Sequence, residues 1–201
     1  DIIVLGHKSP DGDAFGACLA WTEYLKQWGK TAHVIVPDAF PDFLKWLPGT
    51  DDVLRFDKQT DEVKALCQRA DLMFCLDFND TSRLEELQEV IALSKAKRVL
   101  IDHHLNPTID GIVTISHPEA SSTCELVFRV ICQLGGFEQL TQQIAAPIYC
   151  GMMTDTGGFT YNSTRPVIYT IIGMLLTTGI DKDKIYRNVF NNYSQWTIRL
   201  R

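Results

Sequence analysis

Four short apolar runs fix the kind of fold open to this chain, because of where each one stops. Ile2–Leu5 stops at Gly6-His7, Ala32–Val36 at Pro37, Leu72–Leu76 at Asp77, and residues 98–101 at Asp102-His103-His104. Apolar runs of four or five residues are the length of a strand buried on both faces. Between them lie segments whose apolar residues recur every three and four positions, such as Ala14, Ala17, Cys18, Trp21, Tyr24, Leu25 and Trp28 before Gly29. Buried strands alternating with amphipathic helices predict an α/β fold: a mainly parallel sheet flanked by helices, with a helical C-terminal third.

Further elements follow from the same signals. Residues 40–46 read as a short helix before the Pro48-Gly49 turn, and 61–70 as a helix. Residues 82–94 read as a helix capped by Thr81 or Ser82. A further strand is expected over 111–115, then a helix capped by Ser121 or Ser122 that ends at Gly135-Gly136. Residues 141–152 read as helical despite Pro147, 154–162 as a Gly-containing loop, and 166–178 and 181–192 as the last two helices. Trp21, Trp28 and Trp46 are assigned to core or groove packing.

Composition narrows the function classes. In 201 residues, 45 % are hydrophobic and 22 % charged, so a core is available and wholesale disorder is excluded. No apolar run approaches the ~20 residues a bilayer span needs. The formal net charge of −6, from 19 Lys and Arg against 25 Asp and Glu, excludes nucleic-acid binding by overall charge. A phosphate substrate would have to be held by metal ions or by a local basic patch. Six cysteines, at 18, 67, 75, 124, 132 and 150, form no C-x-x-C pair. In a chain of this length they read as buried free thiols in a reducing cytoplasm. The chain opens on Asp1 straight into a strand-like run, and is read as a piece of a longer protein.

In parallel α/β sheets, ligands collect beyond the carboxyl ends of the strands. Those ends carry His7, Asp11 and Asp13 in Gly6–Asp13, then Asp77, then Asp102-His103-His104; Asp155 follows the 150–153 segment. Each alone reads as a loop, turn or cap residue. Together they set four carboxylates, Asp11, Asp13, Asp77 and Asp155, and the histidines His7 and His103 around one point. Such a cluster repels itself unless cations lie between its members. Carboxylate and imidazole without thiolate suit Mn²⁺ or a similar divalent ion.

These motifs resemble the DHH phosphoesterase superfamily, named for the Asp-His-His found here at 102–104. The resemblance covers nearly the whole chain: Gly-His-Lys-Ser-Pro-Asp-Gly-Asp at 6–13, Leu-Asp at 76–77, Ile-Asp-His-His at 101–104, Ala-Ser-Ser-Thr-Cys-Glu-Leu-Val at 120–127 and Met-Thr-Asp-Thr-Gly-Gly-Phe at 153–159. The last motif and Asn162-Ser163-Thr164 are most similar to the branch that combines oligoribonuclease and 3′-phosphoadenosine 5′-phosphate (pAp) phosphatase activity, members of which are called exopolyphosphatase-related.

The resemblance implies two divalent ions, Mn²⁺ first, with Mg²⁺ or Co²⁺ as substitutes. His7 and Asp11 would bind one, Asp13, His103 and Asp155 the other, and Asp77 would bridge them. His104 would face the substrate phosphate and Asp102 would orient the ligands. A hydroxide held by the two ions would attack phosphorus in line with the leaving oxygen. Arg83 reads equally as a phosphate contact or a solvated helix arginine, and Lys8 and Ser9 share that ambiguity. Ser122 and Thr123 read as a cap at a helix N-terminus that would also favour anions if aimed at the site.

Members of the family carry a second, substrate-binding domain with a Gly-rich His motif, and no Gly-Gly-Gly-His occurs here. Residues 1–194 are therefore expected to form the catalytic domain and 195–201 the start of a linker to that second domain, Arg187, Arg199 and Arg201 giving the stretch a basic lean. On this reading the isolated piece binds Mn²⁺ but hydrolyses substrate poorly. The expected substrate is a short RNA or nucleotide phosphate; no membrane is involved, and a homodimer is compatible with the reading. The rivals are an inorganic pyrophosphatase or exopolyphosphatase of the same superfamily, a non-catalytic metal-binding module, and an α/β domain whose polar strand ends are coincidental. Asp77→Ala separates the last from the rest: a bridging ligand's loss abolishes metal-dependent activity, whereas a lost cap costs only ~0.5–2 kcal/mol of stability.

Overall fold

The computed structural model describes residues 1–191. Its centre is a six-stranded, wholly parallel sheet of β1 (Ile2–Leu5), β2 (Ala32–Val36), β3 (Leu54–Arg55), β4 (Leu72–Leu76), β5 (Lys97–Asp102) and β6 (Val113–Ser116) in the order β3-β2-β1-β4-β5-β6. The chain reverses its direction of travel across the sheet between β1 and β4. That switch point opens a crevice at the carboxyl ends of the two strands.

Alternation along each strand sends residues to two cores. Val4, Val34, Val36, Phe74, Leu76, Val99 and Ile101 face the larger one. It is completed by α1 (Gly12–Gln27), α4 (Thr123–Gln133), α5 (Gln142–Asp155), α6 (Pro166–Leu176) and α7 (Lys182–Phe190). Ile3, Leu5, Ile35, Met73, Cys75 and Leu100 face the other core, covered by α2 (Thr60–Arg69) and α3 (Leu87–Leu93). All six cysteines are unpaired; Cys132 is half-buried and the others are buried.

Close backbone approach binds the first face together. A Cβ on Gly16 of α1 would lie 2.4 Å from the Pro147 carbonyl of α5, and one on Gly151 of α5 would lie 2.2 Å from Cys124 Sγ of α4. Pro147 lies inside α5 and deprives the carbonyl of Gln143, an exposed residue, of its helical partner.

Several expected boundaries shift. The helix over 82–94 is broken into a 3₁₀ turn, Thr81–Leu84, and α3, with Glu85 between them at φ 50°. The cap is Asp80, not Thr81 or Ser82: its carboxylate accepts from Ser82 N, and Arg83 O is taken by the Lys8 amide from across the crevice. The stretch 40–46 holds only a 3₁₀ turn, Asp42–Leu44. Two-residue β3 lies between Asp51-Asp52 and Asp57, too short to show a period. The expected strand over 111–115 begins later, at Val113. Trp21 is buried and Trp46 half-buried, but Trp28 is 47 % exposed, holding the end of α1 through Nε1 to Gln139 Oε1 at 3.3 Å. The expected linker over 195–201 lies outside the described residues, as does Asn192 at the end of the last expected helix. No described helix is long and apolar enough to cross a membrane.

Candidate metal centre

The site is assembled at the carboxyl ends of β1, β4 and β5 by the first turn of α1 and the last turn of α5. His7 follows β1 and is buried. Its Nδ1 donates to Lys8 O at 2.7 Å, which turns Nε2 into the crevice, 3.7 Å from Asp77 Oδ2. Asp11 caps α1: one carboxylate oxygen accepts from the amides of Asp13 and Ala14. The cap aims the next acid, Asp13, inward, where it is 1 % exposed.

Asp77 leaves β4 in the left-handed region, φ 65°, uncommon for a residue with a Cβ. Strain of this kind persists where the surroundings over-determine it. Here the Asp77 amide donates to Ile101 O at 3.2 Å, and the Thr123 hydroxyl donates to Oδ1 at 2.7 Å.

Asp102 ends β5 fully buried, and His103 and His104 leave the strand beside it. His103 Nε2 lies 3.8 Å from Asp13 Oδ2, 3.5 Å from Asp77 Oδ1 and 3.5 Å from Asp155 Oδ2. His104 Nδ1 bonds Asp102 Oδ1 at 2.7 Å, leaving Nε2 available; this hydrogen bond raises the imidazole's pKa. The second Asp102 oxygen has no partner among the described residues.

Asp155 is the last residue of α5 rather than part of the expected loop. Gly157 and Gly158, at φ 55° and 73°, reverse the chain behind it, and the Gly158 amide closes on Met153 O at 2.7 Å. Arg83 is exposed on the crevice rim, near enough to His104 for its charge to oppose protonation of the imidazole.

Three groups of ligand atoms each fall within 4.8 Å of one another: His7–Asp11–Asp77, Asp13–His103–Asp155 and Asp77–His103–His104. Every residue singled out as a ligand thus comes to one place. Without a cation this place is electrostatically unfavourable. Burial, then the neighbouring Asp77 and Asp155 charges, pushes the Asp13 carboxyl well above its usual range. Burial and Asp11 do the same to Asp77, and burial raises Asp155. Oxygen and imidazole donors around a self-repelling acidic pocket fit hard or borderline divalent ions.

Sequence reasoning missed the role of α4. Ser122 is the cap, its side chain accepting from Glu125 N. The amides behind it, Thr123 N and Cys124 N, donate to the two oxygens of Asp13 at 2.6 and 2.9 Å. The helix N-terminus expected to favour anions is therefore occupied by the protein's own carboxylate. The Ser-x-x-Glu spacing at 122–125 was the available signal.

The fold and this constellation together place the chain in the DHH family of phosphoesterases: the family's N-terminal domain matches residues 1–152. The bifunctional oligoribonuclease and PAP phosphatase NrnA of Thermus thermophilus is 32 % identical over 181 residues, covering 89 % of this chain and 50 % of that protein. The crystal structure of an exopolyphosphatase-related protein from Bacteroides fragilis matches with a TM-score of 0.97 at 50 % identity, over 100 % of this chain and 59 % of that one. A candidate family II inorganic pyrophosphatase of Methanococcus jannaschii shares the fold, with a TM-score of 0.62 at 16 % identity over 94 % of this chain and 61 % of that one. The chain spans about half the length of the curated relatives it matches.

Proposed function

We propose that this chain is the catalytic part of a divalent-metal phosphoesterase that hydrolyses short oligoribonucleotides, pAp, or both. The observation that carries the reading is the convergence of His7, Asp11 and Asp77, and of Asp13, His103 and Asp155, on one crevice in which three carboxyl groups are held above their usual range. The first three residues would hold one ion and the second three another, with Asp77 shared. Mn²⁺ fits this donor set first, then Mg²⁺ or Co²⁺. When bound, two such ions supply an acidified water and neutralise phosphate charge.

The chain's own groups do the rest. Asp102 holds His104 through Nδ1 and favours its protonated form, so Nε2–H can donate to a phosphate or leaving oxygen. Arg83, exposed and close enough to His104 to affect its charge, would offer a second phosphate contact. Thr123 keeps Asp77 aimed, and α4 does the same for Asp13. Residues 1–194 form the catalytic domain on this reading. The substrate's far end is gripped by a second domain of the longer protein, as the half-length coverage of relatives supports. The unpaired thiols suit a reducing cytoplasm.

The test is phosphate or mononucleotide release by the full-length protein with Mn²⁺, given pAp, a dinucleotide, pyrophosphate or polyphosphate. Turnover of the first two above the others is expected. Preference for pyrophosphate or polyphosphate keeps the metal chemistry and overturns the substrate. Metal binding with no turnover of any of them moves the protein to the non-catalytic reading.

A further inference from the structure

Glu125 is an acidic residue, fully buried and not among the metal-site residues. It lies in the first turn of α4, 0 % exposed. One oxygen, Oε2, accepts from both the amide and the hydroxyl of Ser121, each at 2.7 Å. The other, Oε1, takes the Arg129 guanidinium at 2.6 Å from the next turn, and the Arg165 guanidinium from the residue preceding α6. Both arginines are 35 % exposed whereas the carboxylate is buried, and Arg129 Nε is itself buried without a partner among the described residues. A buried carboxylate is retained at such a place only when fully paired, and here it is.

What the carboxylate holds is the end of the helix that holds the metal centre. Ser121, Ser122, Thr123 and Cys124 are consecutive. The first is fixed by Glu125; the last two donate to Asp13 and Asp77. Arg165 brings in a second connection. It lies ten residues beyond Asp155, past the glycine turn, and its bond to Glu125 ties that segment to α4. Both ends of the candidate ligand set, Asp13 with Asp77 and Asp155, therefore converge mechanically on one carboxylate.

We propose that Glu125, clamped by Arg129 and Arg165, is a positioning residue that sets the affinity of the centre for its divalent ions, by holding the α4 amides on Asp13 and the Thr123 hydroxyl on Asp77. The inference rests on the metal-centre reading above. The α4 amides on Asp13 and the Thr123 hydroxyl on Asp77 are outer-sphere partners, whose loss changes metal affinity by about 10–100-fold, and Glu125 is what holds them in place. The variants lower affinity and shift the Mn²⁺ concentration needed for half-maximal activity, while kcat at saturating Mn²⁺ stays close to that of the unaltered protein. A residue with only a structural role would lower the folded fraction and leave the affinity of the folded molecules unchanged.

The experiment titrates Mn²⁺ into the full-length protein by calorimetry, with circular dichroism confirming the fold, for Glu125→Gln, Arg165→Met, Arg165→Lys and Asp77→Asn. Glu125→Gln and Arg165→Met are expected to weaken Mn²⁺ binding tenfold or more, and Arg165→Lys by less, since it keeps the charge but not the fork. If Glu125→Gln does not fold, the two Arg165 variants decide alone, because that side chain is partly in water. Wild-type affinity in folded Glu125→Gln and Arg165→Met, with binding lost in Asp77→Asn, overturns this inference and leaves the metal centre standing. Unchanged binding in Asp77→Asn overturns the metal-centre reading itself.

Discussion

Helices α1, α4 and α5 cover one face of the sheet and α2 and α3 the other, and the two coverings are built differently. On the first face each helix delivers something to the crevice: α1 brings Asp11 and Asp13, α4 two amides and a hydroxyl, α5 Asp155. These helices approach through Gly16, Gly151 and alanines, so their backbones nearly touch. On the second face Val63, Leu66, Leu87 and Ile91 fill space beneath α2 and α3, and no described residue of those two helices reaches the ligand set. Large side chains can repack by changing rotamer; backbone-to-backbone contact cannot. The candidate ligands that come from helices, Asp11, Asp13 and Asp155, are thus carried by the face with least freedom to relax.

The largest test of that contrast is at the centre. Asp77→Asn removes the shared acid and should lower metal-dependent hydrolysis by about a thousandfold, the rate equivalent of several kcal/mol of lost charge stabilisation. In the same variant the metal-free protein should be no less stable, because a carboxyl group held above its usual range by burial is gone. Steady-state kinetics with Mn²⁺ and thermal melts in EDTA check the two halves.

A paired substitution then compares the faces directly. Gly16→Ala forces α1 away from the Pro147 carbonyl and is expected to cost about 1–3 kcal/mol. It should also weaken Mn²⁺ binding, since α1 carries Asp13 and α5 carries Asp155. Leu66→Ala, on the far face, should cost about 2–5 kcal/mol by leaving a cavity, yet leave kcat and metal affinity per folded molecule within twofold. Urea unfolding beside metal titration reads both. A loss of metal affinity in Leu66→Ala would break the comparison.

The smallest and most graded effect is that of pH. Asp13, Asp77 and Asp155 have folded-state pKa values raised above the ordinary 3.8, so the folded protein binds more protons than the unfolded chain once pH exceeds that value. Stability of the metal-free protein therefore falls as pH rises from about 4 through the raised values. Divalent ions oppose the fall, so the rise in Tm on adding Mn²⁺ should grow with pH. A metal-free Tm that climbs steadily from pH 4 to 7 would contradict it.

Much of this architecture was legible in the residues. Apolar runs ending on Asp or His placed β1, β4 and β5, and their ends placed His7, Asp77 and His103, because a parallel sheet aligns its carboxyl ends. The break at Glu85 was hidden, since the Lys8 amide that takes Arg83 O beside it comes from another strand's loop. Asp155 read as loop because the glycines after it masked one more helical turn. Glu125 sits in an ordinary capping pattern, and only the arrival of Arg165 forty residues later in the chain makes it a junction.

That extra turn of α5 has a consequence for motion. Asp155 stands at the carboxyl end of a helix, the negative end of its dipole, even though the Met153 and Thr154 carbonyls are capped by the Gly158 and Gly157 amides. Its own carboxylate adds to that charge, so the last turn is the part of the helix that electrostatics tends to fray. A cation held there ties the turn down. If Asp155 holds an ion, ion occupancy and backbone order over 153–158 should vary together: amide hydrogens in that stretch are expected to exchange more slowly once Mn²⁺ is added.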